Sequence, residues 1–192
     1  MQQHIFTPCG LADTSFGLPQ EKEDRLTAFY RFDTEVGRAI PQPSVNNLIH
    51  GPEYDSGGAG IFSTAPDLAR FGSALLNGTS PDTGARILRP ETLALICTEQ
   101  LSRGVTPGVE VELPHPSYGL GLAVSPTAKN PHKIGQFGWG GATGCKLFMN
   151  PRERFVYVFV MQVLKYASNP IVNPREQVLN KFYQLLLEED FK

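Results

Sequence analysis

Gly57-Gly58-Ala59-Gly60-Ile61-Phe62-Ser63-Thr64-Ala65-Pro66-Asp67-Leu68-Ala69-Arg70-Phe71 joins a glycine-rich entry to a capped amphipathic helix. Thr64 and Asp67 stand at the spacing of a capping box. The Thr64 hydroxyl can accept from the Asp67 amide, and the Asp67 carboxylate can answer the exposed amide of Thr64. Pro66 fits only in a first turn, where a missing N–H removes no helical hydrogen bond. Leu68, Phe71, Leu75 and Leu76 fall at helical spacing on one face, and Asn77-Gly78 supplies the stop.

Downstream of this helix, Pro90-Glu91 starts a second one through Leu93, Leu95 and Ile96, and the stretch from Ser102 to Pro116 reads as a long connector rich in Gly, Pro and polar residues. The period then changes. Tyr118, Leu120, Leu122 and Val124 alternate with Gly119, Gly121 and Ala123, the pattern of a strand with one bulky face and one face open to close approach. Cys145 to Met149 and Phe155 to Gln162 are two further strands around the turn Asn150-Pro151-Arg152-Glu153, expected to pair as an antiparallel hairpin. The run from Phe155 to Met161 is apolar at consecutive positions, which predicts a central strand with cover on both faces.

Asn173-Pro174-Arg175-Glu176 carries an N-cap, a proline at the first helical position and a box-closing glutamate, so a final helix is expected with Val178, Leu179, Phe182, Leu185 and Leu186 as its buried stripe. That helix can cover one sheet face. The other face needs the two upstream helices or protein that this chain does not contain. Upstream of Gly57, the first fifty residues are broken by Pro8, Gly10, Gly17, Pro19, Gly37, Pro41 and Pro43 into loops with short strands. The expected class is α+β, an antiparallel sheet flanked by helices. Residues 1–116 form the helical or irregular part of one domain, and residues 117–192 its antiparallel strands and C-terminal helix.

Composition narrows the partners. With 192 residues and 41% hydrophobic content, the chain can bury a sizeable core. Its 17 basic and 19 acidic residues are dispersed, leaving no basic stripe for nucleic acid and no polybasic patch for a membrane surface. The longest apolar run, Phe155 to Leu164, is far short of the ~20 residues that span a bilayer. Met1-Gln2-Gln3-His4-Ile5-Phe6 lacks the basic start and apolar core of a signal peptide. Cys9, Cys97 and Cys145 are far apart and odd in number, as expected of small buried thiols rather than a disulfide framework, and their usage is compatible with the cytoplasm, although the compartment stays open. His4, His50, His115 and His132 make no metal-binding spacing, so neither a metal nor another cofactor is implied.

The chemistry concentrates in Gly135-Gln136-Phe137-Gly138-Trp139-Gly140-Gly141-Ala142-Thr143-Gly144. Glycines in an edge strand let a ligand approach the backbone, exposed amides there can bind a developing oxyanion, and Trp139 can wall an acyl or aryl group. The residues alone read first as a glycine-rich hairpin turn with Trp139 as a partly buried packing anchor, since tryptophans are mostly packing residues.

The order and spacing of these segments resemble the C-terminal part of the β-lactamase-related serine hydrolases, the class C-type penicillin-recognising enzymes and their esterase and acyltransferase relatives. Trp139, Gly140 and Gly141 match the family's third motif, which reads K-T-G or H-x-G in some members and W-G-G in several esterases and acyltransferases. Thr143-Gly144 and Asn150-Pro151 look like the family's T-G and D-P steps. Ile5-Phe6-x-Pro8-x-Gly10-Leu11-x-Asp13-Thr14-x-Phe16 is similar to its "P-L-G-M-x-D-T-x-F" segment, and Gly58 to Phe71 to its "G-G-G-L-x-S-T-x-x-D-L-A-R-F" segment. The resemblance runs from Ile5 to the final helix. It implies a β-lactamase/transpeptidase-like fold, substrate contacts from Trp139, Gly140 and Gly141, and an oxyanion hole in which the Ala142 amide is one donor and the nucleophilic serine's amide the other.

Two family motifs have no counterpart. No serine here has a lysine three residues on, so the S-x-x-K nucleophile motif is absent; Ser125 and Lys129 miss by one position, which turns the lysine to another helical face. Y-x-N is absent too, and Tyr54-Asp55-Ser56 reads as turn chemistry. Met1 falls where the family is already past both motifs, so truncation is the expectation. The implied function is the C-terminal portion of a serine hydrolase that works through an acyl-enzyme, with esterase or acyl-transfer chemistry ahead of β-lactamase activity because Trp139 cannot carry a charge. The chain alone is expected to be inactive. Its alternative is a catalytically inactive β-lactamase-like binding or assembly module. The implied partners are a small-molecule ester or amide, and either the missing N-terminal segment or a second copy of the chain.

Overall fold

The computed structural model describes residues 1–42, 55–102, 105, 117–127, 131–164 and 174–189. The strands in chain order are β1 (Ser15–Phe16), β2 (Tyr30–Asp33), β3 (Arg38–Pro41), β4 (Ile61–Phe62), β5 (Ser117–Tyr118), β6 (Ala123–Val124), β7 (Phe137–Gly140), β8 (Lys146–Asn150), β9 (Phe155–Phe159) and β10 (Val163–Leu164). The α-helices are α1 (Ala65–Asn77), α2 (Pro90–Cys97) and α3 (Pro174–Glu189). The chain forms two compact units. One comprises Met1–Thr14, Ser63–Gly140 and Lys146–Val158, the other Ser15–Phe62, Gly141–Cys145 and Phe159–Lys192.

In the first unit, α1 begins and ends as its sequence dictates. Thr64 is extended and its hydroxyl accepts from the Asp67 amide at 3.4 Å, while Gly78 closes the helix in the left-handed conformation with φ 67°. The second half of the expected capping box does not form. The Asp67 carboxylate instead accepts from the Asp13 amide at 2.7 Å and the Thr14 hydroxyl at 2.9 Å, and pairs with Arg70 at 3.0 Å. A buried carboxylate gains more from three such donors than from one amide at the open end of a helix.

The five-stranded sheet has the order β5-β6-β7-β8-β9. Val124, Phe137 and Met149 form its buried centre, against which Leu75, Leu76, Leu93, Cys97, Leu122, Leu147 and Val156 pack, so α1 and α2 supply the cover on that face. Two strand expectations are corrected. The stretch from Tyr118 to Val124 is two short antiparallel strands, because Gly121 takes a left-handed φ of 78° and the Gly119 amide bonds back to the Leu122 carbonyl at 2.9 Å. The run expected to extend from Phe155 to Gln162 ends at Phe159, and among the described residues β9 is an edge strand rather than a central one. Val156 packs on the helix-covered core and Tyr157 is buried on the alternate side, so consecutive apolar residues record cover on both faces without specifying a second neighbour strand.

The second unit holds the antiparallel pair β1-β4 and a three-stranded sheet, order β10-β2-β3, in which β10 runs parallel to β2. The β2-β3 hairpin is closed by the Asp33 carboxylate, which accepts from the Glu35 and Val36 amides. Helix α3 starts at Pro174, the position expected from the proline, while the Asn173 cap lies outside the described residues. Among the described side chains its buried residues are Leu179 and Tyr183, one turn apart; Val178 and Leu185 are exposed on neighbouring faces, Phe182 is half-buried, and the Leu186 side chain lies outside the described residues.

Candidate functional site

Strand β7 places the W-G-G segment. It pairs with β8 in the register Phe137↔Met149, Gly138↔Phe148, Trp139↔Leu147 and Gly140↔Lys146. Gly138 lies tight against the backbone of β8. Its φ is 153°, and a Cβ there would lie 2.1 Å from the Leu147 carbonyl oxygen, so only glycine fits. Phe137 is buried in the core, whereas Trp139 is 42% exposed and its ring meets that of Tyr118 at 5.5 Å between centroids, tilted by 56°. A tryptophan acting only as a packing anchor would be covered; this one presents a face to solvent. Opposite Gly140, Lys146 is buried with its ammonium 5.4 Å from the Phe148 ring centroid.

Gly141 to Cys145, in the second unit, make the turn that follows. The Gly141 amide donates to the Cys145 carbonyl at 2.8 Å and the Gly144 amide to the Gly141 carbonyl at 2.9 Å. Ala142 is exposed, and among the described residues its amide donates to no partner. The segment after β9 holds the turn from behind: the Val163 amide donates to the Thr143 carbonyl at 3.1 Å and the Cys145 thiol to the Met161 carbonyl at 3.1 Å. The sequence carried no signal for this support, since residues up to Gln162 read as continued strand.

Two sequence segments that carry the family resemblance meet at one carboxylate. Asp13 and Thr14 donate to Asp67, and the Thr14 and Ser63 hydroxyls lie 2.8 Å apart. Arg70 then bridges Asp67 to Asp82. This network ties α1 to the N-terminal segment and to Asp82. Ser125 is fully buried and its hydroxyl donates to the Thr127 carbonyl, while Lys129 lies outside the described residues. Tyr54 lies outside them as well, and Ser56 accepts the Gly60 amide in a tight turn. His132 Nδ1 sits 2.8 Å from Glu153 beside the turn between β8 and β9. Burial raises the Cys97 thiol to about 11. Among the described residues no cluster of His, Cys, Asp or Glu is arranged to hold a metal ion, and no helix is long and apolar enough to cross a membrane.

Tyr118 is the residue that sequence reasoning missed. Its alternation with glycine spoke for a strand and gave no sign of a ring contact with Trp139.

The fold is shared with known proteins. Among solved structures, the chain is similar to EstCE1, a hydrolase with promiscuous acyltransferase activity, with TM-score 0.68 and 23% identity over 85% of this chain and 45% of that one. It is also similar to the LovD9 mutant of simvastatin synthase from Aspergillus terreus, with TM-score 0.72 and 17% identity over 99% of this chain and 48% of that one. A family VIII carboxylesterase matches at TM-score 0.60 and 20% identity, over 91% and 47% of the two chains. These likenesses show a shared α+β fold. Two curated relatives from Mycobacterium tuberculosis, Protein Rv1367c and uncharacterized protein MT1414, are each 28% identical over 171 residues, which is 84% of this chain and 42% of theirs. The chain thus spans less than half the length of the curated relatives it matches. The Beta-lactamase family model matches residues 1–180. With nearly its whole length so matched and its fold in common with β-lactamase-like hydrolases and acyltransferases, the chain belongs to the Beta-lactamase family.

Proposed function

We propose that this chain is the C-terminal portion of a serine hydrolase that cleaves or transfers the acyl group of a small-molecule ester. The observation that carries the reading is the turn after β7, where an exposed Ala142 amide has no protein acceptor among the described residues and follows directly on the W-G-G segment. A serine supplied by another segment attacks the ester carbonyl, and its proton passes to a base from that same segment. The carbonyl oxygen gains a full negative charge in the tetrahedral intermediate, and a fixed amide donor stabilises that charge more than it stabilises the ground state. Collapse expels the alcohol and leaves an ester on the serine. Water or a second alcohol then takes the acyl group by the reverse steps.

In this reading Trp139 walls the acyl pocket, with Gly140 and Gly141 keeping the backbone accessible. Its indole cannot hold a substrate carboxylate by charge, which supports neutral esters over anionic β-lactams. The names of the structural relatives, a hydrolase with acyltransferase activity, a synthase and a carboxylesterase, support the same chemistry.

The test compares this chain with a longer gene product that includes S-x-x-K and Y-x-N segments. The chain alone is expected neither to turn over p-nitrophenyl butyrate nor to label with a serine-directed phosphonate, whereas the longer protein does both. Stoichiometric labelling of a serine within residues 1–192 overturns the division of labour. A longer protein that folds and carries both motifs yet neither labels nor turns over is the outcome that supports a binding or assembly module instead.

A further inference from the structure

The contact between Tyr118 and Trp139 has a geometry that packing alone does not require. The rings meet at 5.5 Å with a 56° tilt, and the Trp139 side of the pair stands open, so the two planes make a corner rather than a closed stack. Tyr118 is held in that position by its backbone before any ligand arrives. Its carbonyl accepts the Gln100 amide at 2.7 Å, and the Leu120 amide donates to the Ile96 carbonyl at 3.2 Å, which ties both sides of the residue to the end of α2 and the segment after it. Ser117, the residue before it, is buried and donates to the Glu99 carboxylate. Among the described residues the Tyr118 hydroxyl has no hydrogen-bond partner, and the turn beyond exposes Leu120.

We propose that Tyr118 is a specificity-determining residue that, with Trp139, forms an aromatic corner selecting planar aryl groups over saturated groups of equal size. An aryl ring lying on the open face of Trp139 meets the Tyr118 ring at a tilt, so the positive edge of one ring faces the negative face of the other. A cyclohexyl ring fills similar volume without that quadrupole. Rigid backbone anchoring lowers the ordering loss on binding and makes the preference intrinsic to the protein. Identifying the aryl group as part of an ester rests on the acyl-transfer reading; the corner itself does not need turnover.

Trp139 is the chain's single tryptophan, so its emission reports the site without interference. The experiment titrates the full chain with phenyl acetate and with cyclohexyl acetate, following Trp139 emission, in the wild type, Tyr118→Phe and Tyr118→Leu. Phenyl acetate is expected to perturb the emission and to bind more tightly than cyclohexyl acetate. Tyr118→Phe keeps that ratio, and Tyr118→Leu lowers it about three- to tenfold. An unchanged ratio in folded Tyr118→Leu, or no effect of phenyl acetate on the wild-type emission, overturns the proposal. Should Tyr118→Leu fail to fold, nuclear Overhauser effects in the wild type decide. Phenyl protons close to both rings support the corner, and phenyl protons close to Trp139 alone, or to neither ring, overturn it. Failure of the acyl-transfer reading shows differently, as a longer protein that binds phenyl acetate with the same aryl preference and forms no acyl-enzyme.

Discussion

Replacing Gly138 with alanine drives a methyl group into the backbone of β8. A Cβ at this position lies 2.1 Å from the Leu147 carbonyl oxygen, 2.6 Å from Phe148 Cδ1 and 2.8 Å from Phe148 Cα. Ordinary carbon–oxygen approaches between strands are about 3.3 Å, so β7 and β8 must part locally by roughly 1 Å. Two of the three close atoms belong to the backbone, and no rotamer change relieves them. Overpacking of this kind costs about 1–3 kcal/mol, and holding a side-chain-bearing residue at φ 153° adds about 1–3 kcal/mol. The expected loss is therefore about 2–6 kcal/mol, a large fraction of the stability of a typical domain. Urea unfolding followed by both circular dichroism and Trp139 emission is the assay. The midpoint should fall steeply, and the native emission should change because the next residue is Trp139. A loss below about 0.5 kcal/mol, the range of ordinary surface substitutions, with unchanged emission, would refute the close approach of β7 and β8 and with it the reason for a glycine before the tryptophan.

Other outcomes follow from the same structure. Asp67→Ala should destabilise the fold by about 3 kcal/mol in chemical denaturation, because the Asp13 amide and the Thr14 hydroxyl lose a buried charged acceptor and Arg70 loses its partner on α1, and Asp67→Asn should lose less by keeping an acceptor for the first two. Burial raises the Cys97 thiol from 9.0 to about 11, so above pH 9 the unfolded chain releases a proton that the folded chain keeps. Its contribution to stability is complete below pH 9.0 and is lost as the pH rises through about 11; the decline across that window should be shallower in Cys97→Ala, whatever its stability at neutral pH. In a longer, active protein, Trp139→Ala should alter selectivity among acyl chain lengths more than stability, whereas a packing tryptophan would lose about 3–5 kcal/mol with selectivity unchanged. Ala142→Pro in that protein, shown to be folded by circular dichroism, should lower kcat by about 100-fold or more; normal turnover would mean that this amide does not serve the oxyanion.

How much of the candidate site was legible depended on the range of the forces involved. Trp139, Gly140, Gly141 and Ala142 are neighbours in the chain, and glycine and tryptophan in succession already signalled accessible backbone beside a large ring. Tyr118 was invisible as the partner of Trp139 because a ring contact across 21 residues leaves no trace in local alternation. The turn supports from Met161 and Val163 were hidden for the same reason, by apolar residues that read as uninterrupted strand.

The sequence by itself determined the elements whose causes are local. Thr64 and Gly78 bound α1, prolines set the starts of α2 and α3, and Asn150 with Pro151 marked the turn between β8 and β9. Capping, fixed proline φ and left-handed glycine act over a few residues and are written there. Tertiary structure decided where those elements found their partners. It took the Asp67 carboxylate from the helix end and gave it to donors more than fifty residues away, set β9 at the edge of its sheet among the described residues, paired β10 parallel with β2, and turned the buried stripe of α3 onto Leu179 and Tyr183. An apolar or charged side chain encodes how much it needs a neighbour, and only the folded chain decides which neighbour is within reach.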